Sequence, residues 1–163
     1  MAVQLTIRCM ALKVLLMVVT LTLIACPAPV IAALGDDVAT VQADQAHMKG
    51  TLQTTPIGTY TVHEIKAPTG TVVREYVSTT GKIFAVTWQG PFPPDLRQLL
   101  GSYYERFSQA AQKRQQQRPH IRGALHIQEP SLVVHSGGHM RAYFGKAYIP
   151  ELMPEGVSIE DLK

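Results

Sequence analysis

Cysteine is almost missing from this 163-residue chain: Cys9 and Cys26 are the only two, and none follows them. From residue 33 onward there is no thiol for a disulfide, a catalytic nucleophile or a thiolate metal centre. Charge is scarce as well, at 17% Asp, Glu, Lys and Arg with a formal net charge of +3. Beyond residue 32 the balance is 13 bases to 12 acids, too even for a strongly basic nucleic-acid binder. No apolar run approaches the roughly twenty residues that a membrane helix needs, which excludes a polytopic membrane protein. The motifs H-E-x-x-H, G-x-S-x-G and G-x-x-x-x-G-K are all absent. With them go the simplest signatures of a zinc protease, a serine hydrolase and a phosphate-cradling loop.

Hydrophobic residues make up 46% of the chain, but they are unevenly placed: 24 of them lie in residues 1–32, and the rest of the chain is 39% hydrophobic. Residues 1–13 carry Arg8 and Lys13 and no acid, and Val14–Ala25 (VLLMVVTLTLIA) is an apolar core about twelve residues long. Small residues and prolines follow. This is the pattern of a signal peptide spanning residues 1–32, with Val30 and Ala32 as the small residues before the cut. The competing expectation is a lipoprotein signal, because Leu23-Ile24-Ala25-Cys26 resembles a lipobox and would lipidate Cys26. Either way the expectation is export, to the periplasm or the medium or on a lipid anchor. Residues 33–163 then form a single domain, of a size that can rest on its own core.

The pattern within that domain predicts an α+β fold. Val38, Val41, Gln45 and Met48 recur at helical spacing between Asp36-Asp37 and Gly50, so a short N-terminal helix is expected there. Gly58–Lys66, Thr71–Thr79 and Lys82–Gln89 read as three strands joined by the turns Ala67-Pro68-Thr69-Gly70 and Thr80-Gly81. Such short turns require an antiparallel meander. The charges Glu64, Lys66, Arg74, Glu75 and Lys82 are expected on its wet face. In Asp95–Gln117, Leu96, Leu99, Leu100, Tyr103, Phe107, Ala110 and Ala111 mark one long amphipathic helix, which Pro119 ends. Gly123–Ile127, Ser131–His135 and His139–Tyr148 read as further strands, with a C-terminal hairpin turning at Ser136-Gly137-Gly138. The long helix is expected to pack across one face of the sheet.

Four passages suggest a family. They are Ala33-Leu34-Gly35 after the leader, Gly81–Pro91 (GKIFAVTWQGP), Gly138–Tyr143 (GHMRAY) and Ala147–Val157 (AYIPELMPEGV). Together the chain resembles domain of unknown function 2844, a family of exported Gram-negative proteins, over about residues 33–162. The resemblance implies export and a single domain. It implies no activity, cofactor or catalytic residue.

Three groups of residues remain as candidates for chemistry. His135 and His139 flank the expected turn, and His120 or His126 would supply a third imidazole, His126 being the one taken into the set, which zinc or copper would accept. Trp88, Phe92 and Pro93 belong to a proline-stiffened passage at the sheet's edge, which would make a ledge for a ligand or partner. The run Lys113–Arg122 places four positive charges at a helix end. The macrodipole explains these without a ligand. Ser136 beside His135 does not make a catalytic pair, because neighbours in a strand face opposite ways. The expected function is a non-catalytic exported domain that binds an envelope protein or ligand. It would take no cofactor and no nucleic acid, and would meet membrane only through the leader or a lipid on Cys26. The rivals are a metal-dependent hydrolase or metal-binding protein using His126, His135 and His139, and a lipid-anchored structural protein.

Overall fold

The computed structural model describes residues 34–117 and 123–163. The expected leader with Cys9 and Cys26, and the part of the basic run from Arg118 to Arg122 with His120, lie outside the described residues. Seven strands form the sheet: β1 (Thr51–Ile57), β2 (Tyr60–Lys66), β3 (Val72–Ser78), β4 (Ile83–Gly90), β5 (Leu125–Glu129), β6 (Leu132–His139) and β7 (Ala142–Tyr148). Every pairing is antiparallel, and the order in space is β1-β2-β3-β4-β7-β6-β5. Two meanders therefore stand side by side, joined where β4 pairs with β7 from Ala85↔Tyr148 to Gly90↔Tyr143. The helices α1 (Val41–Met48), α2 (Leu96–Leu100) and α3 (Tyr104–Gln117) complete an α+β fold.

Alternation along the strands splits the core in two. Ile65, Val73, Val86, Trp88, Val134 and Ala147 pack with Leu99 and Leu100 of α2, while Tyr103, Tyr104 and Phe107 cover them further along. On the opposite face Val62, Tyr76, Ala85, Val133 and Tyr148 lie under the C-terminal segment through Leu162 and Met153. The Trp88 ring lies across Gly145, its directly opposed neighbour on β7. A Cβ on Gly145 would fall inside that ring and 2.7 Å from the His135 carbonyl oxygen.

The structure corrects several details of the sequence reading. The sheet has a seventh strand, β1, where no strand is predicted. Five of its seven residues are polar or proline and only Leu52 is not exposed, so it lacks the alternation that marks a half-buried strand. Pro56 is tolerated because β1 stands at the sheet's edge and one side of its backbone needs no partner. The predicted long helix breaks at Gly101 (φ 48°, ψ −119°) into α2 and α3, joined by a 3₁₀ turn. Asp95 caps the first piece by accepting from the backbone N–H of Arg97 and Gln98.

The N-terminal helix starts later than expected. Val38–Thr40 is 3₁₀, Val38 is exposed, and α1 turns Val41 and Asp44 inward in place of Gln45. Lys49 (φ 50°), not Gly50, takes the left-handed position at its end. The C-terminal hairpin turns at Met140-Arg141, not at Ser136-Gly137-Gly138, which run on within β6. Arg141 (φ 67°) supplies the left-handed residue there, and Gly137 serves packing, with the Phe144 ring over it. Glu75 is also misplaced by the sequence reading: it is 1% exposed and faces the helices, not water.

Replacing Gly145 with alanine is expected to lower the free energy of unfolding by about 1–3 kcal/mol through overpacking against Trp88. Gly123→Ala, where the new methyl meets nothing within 4 Å, serves as the control and stays within about 0.5 kcal/mol of the parent in denaturant titrations.

Candidate functional site

On the sheet face away from the helices, one row of side chains crosses all seven strands. The register places Gln53 opposite Glu64, Glu64 opposite Arg74, Arg74 opposite Thr87, and Thr87 opposite Lys146. Lys146 in turn faces His135, and His135 faces His126. Every member is polar, whereas Val62, Tyr76, Ala85, Val133 and Tyr148, two residues along on the same face, are buried under the C-terminal segment. The row alongside it holds Gln89, Phe144 and Gly137.

The C-terminal segment lies along this face and is tied to the row. The Lys163 carbonyl accepts from Thr87 Oγ1 (2.7 Å), Tyr76 Oη (2.9 Å) and Arg74 Nη1 (3.3 Å). Lys146 Nζ donates to the Ile159 carbonyl at 3.2 Å, and Arg74 Nε donates to Glu64 Oε2 at 2.7 Å. Between the segment and the second row lies a groove of about 310 Å³, lined by Arg74, Gln89, His135, Phe144, Lys146 and Leu162, among others. Phe144, half exposed, gives it an apolar wall, and Arg74 and Lys146 give it positive charge.

Of the predicted metal set, the structure brings two members together. His126 and His135 are directly opposed on β5 and β6, with Nδ1 atoms 3.1 Å apart, ring centroids 4.0 Å apart and planes near perpendicular at 86°. His126 Nε2 lies 3.4 Å from Gln128 Oε1. Burial, then the His126 ring, then the Lys146 ammonium push the His135 pKa below the ordinary histidine range. His139 is four residues further along β6, about 13 Å of extended strand away, and bonds the Met140 carbonyl at 3.2 Å. It does not join the pair. The predicted aromatic ledge divides in the same way. Trp88 is 3% exposed in the core on the helix side, whereas Phe92 and Pro93 are exposed in the loop beyond β4. Thr71 Oγ1 holds that loop by donating to the Phe92 carbonyl at 2.8 Å.

Sequence reasoning missed Arg74, Lys146, Phe144 and Gln89, since their proximity depends on β4 meeting β7. It also missed a buried polar junction under the helices. Asp44 of α1 accepts from Gln98 Nε2 of α2, and Glu75 of β3 reaches the same place with no donor to either carboxyl oxygen. Burial above all, then the neighbouring Asp44 carboxyl, pushes the Glu75 pKa up to about 9. Asp44 is raised by burial too, against the opposing pull of its hydrogen bonds. One signal was legible: Arg74 and Glu75 are adjacent in a strand, so one of the two must face inward.

Among known proteins, a family model described as protein of unknown function (DUF2844) matches residues 30–162. No curated protein and no solved structure matches the chain.

Below about pH 4.5 Glu75 is protonated whether the chain is folded or unfolded. Above that, only the unfolded state ionises until the folded pKa near 9 is reached. Stability contributed by this group is therefore fully present at low pH and lost as pH rises across that window. Glu75→Gln is expected to flatten the slope of unfolding free energy against pH between 5 and 9, as read by urea denaturation at each pH. For His135, the NMR midpoint is expected below 6.5 and to move upward in His126→Ala.

Proposed function

As the chain belongs to the DUF2844 family of proteins of unknown function, we propose that it is an exported, non-catalytic binding domain of the cell envelope, with the groove on the open sheet face as its ligand site. One observation carries this reading: a solvent-exposed aromatic, Phe144, stands beside Lys146 and Arg74 at a concave site of about 310 Å³. A ring at the wall of a concave site gives a ligand apolar contact area, while a few placed polar groups fix its orientation. Lys146 uses one of its three N–H donors on Ile159, and Arg74 commits Nε and Nη1 of its guanidinium. Both keep donors for a further acceptor. The chemistry suits a small acid carrying an aromatic or aliphatic group, with its ring against Phe144 and its carboxylate toward the cations.

The exported address rests on the leader pattern in residues 1–32, and partners are sought in the envelope for that reason. Phe92 and Pro93, at the end of the sheet, are a second accessible apolar surface for a protein partner. The rival hydrolase reading needs three histidines at one place, and His139 stands four residues along β6 from His135.

A panel of aromatic carboxylates, followed by amide shifts in ¹⁵N-labelled protein, tests the groove. Shifts are expected to cluster at Gln89, Phe144 and Lys146, and Phe144→Ala is expected to weaken binding about threefold to tenfold. Shifts spread evenly over the surface, or insensitive to that substitution, would sink the groove as a site. The intact mass of the envelope form tests the address. A chain starting at Ala33 without acyl chains supports a soluble exported protein, and a diacylated Cys26 start supports the anchored alternative.

A further inference from the structure

We propose that His126 and His135 form a two-imidazole chelate for a divalent transition-metal ion, with copper(II) held best. The reading is independent of what the groove binds, although His135 also stands at the groove's rim.

The argument starts from the strand register. His126 and His135 are an opposed pair in an antiparallel ladder, flanked by Leu125↔Ser136 and Ile127↔Val134. Their backbones are therefore held by the sheet, and no loop has to close around an ion. The two Nδ1 atoms lie 3.1 Å apart. Two imidazole nitrogens bound to one ion at about 2.0–2.1 Å, with an angle near 90–110°, lie about 2.9–3.4 Å apart. The observed separation falls within that bite. Because the ring centroids stand 4.0 Å apart with planes at 86°, the rings reach the chelating pose by swinging apart about their side-chain torsions while the backbones stay in register. A hydrogen bond between the rings fits the same distance, but it uses one N–H and leaves a neutral pair, which is the protonation state a metal ion requires.

The surroundings select the class of ion. The ligands are nitrogens of borderline softness, with no thiolate and no carboxylate opposite, which excludes calcium and magnesium as favoured guests. Both rings are solvent-accessible, so water completes the coordination. With two protein ligands the site discriminates by intrinsic affinity, and the order for divalent ions places copper above zinc and nickel. Lys146, the cross-strand neighbour of His135, opposes a cation. Its ammonium is drawn toward the Ile159 carbonyl at 3.2 Å, which limits that opposition. Gln128 Oε1 sits at His126 Nε2, the nitrogen remote from the ion, and orients the ring from behind.

The test is titration of the full chain with copper(II) and with zinc(II), followed by calorimetry and by electron paramagnetic resonance. One copper per chain with hyperfine coupling to two nitrogens is expected. His126→Ala and His135→Ala are each expected to weaken it tenfold or more, while His139→Ala leaves it unchanged. Far-ultraviolet circular dichroism of each variant separates lost ligation from lost folding. His126→Ala removes a ligand but no lining residue of the groove, so retained binding of aromatic carboxylates by that variant separates this site from the groove. Absence of stoichiometric copper, equal binding by His126→Ala, or loss of the ion only on removing His139 would overturn the proposal.

Discussion

The antiparallel pairing of β4 with β7 is the constraint on which the rest of the molecule depends. Among the described residues it is the strand pairing that joins the two meanders, and it runs from Ala85↔Tyr148 to Gly90↔Tyr143. At its centre the Trp88 ring occupies the space that a side chain on Gly145 would need. A tryptophan buries a large apolar area, and the glycine lets it lie flat on the neighbouring strand. That single fit locks the relative slide of the two halves. The helix-side core then closes over it with Leu99, Leu100 and Phe107, and the opposite face becomes one continuous surface.

Because the register is locked, outward-facing residues from distant parts of the chain fall into line. Gln53, Glu64, Arg74, Thr87, Lys146, His135 and His126 span residues 53 to 146 yet form one transverse row. The C-terminal segment uses the middle of that row as its seat, through the Lys163 carbonyl, and leaves the two ends open. The groove and the histidine pair both lie toward the β5 side of that seat. The same alternation sends Glu75 inward, where it meets Asp44 and Gln98 beneath two helices. A buried carboxyl pair costs stability when both ionise, so the junction is held by a retained proton and by the Gln98 amide.

Much of the fold was legible because it is written in short-range chemistry. Strand β2 announces itself through alternation, β3 and β4 through runs rich in β-branched and aromatic residues, and all three through the turns at Gly70 and Gly81, both at positive φ. Asp95 signals the helix start by capping. The failures are equally physical. β1 is an edge strand with almost no buried residue, so nothing in Thr51–Ile57 alternates. Gly137-Gly138 reads as a turn because paired glycines usually bend a hairpin. Here they pack instead, Gly137 beneath Phe144 and Gly138 against the backbone of Ala142 and Tyr143. Misplacing that turn carried His139 into the candidate metal set and hid the true opposition of His126 and His135.

The sequence by itself determined the α+β class, the all-antiparallel habit of the meanders, the amphipathic segment after Asp95 and the paucity of thiol and charge. Each of these follows from neighbours within a few residues, through backbone sterics, alternation and helical period. Only the tertiary structure decided that β7 lies against β4, that Trp88 faces the core while Phe92 stays in water, and that two of three candidate imidazoles meet. Those outcomes turn on strand register, where a slip of one residue exchanges the two faces of every side chain that follows. Nothing within a single strand specifies which distant strand will fix that register, so the candidate site appears only once the sheet is assembled.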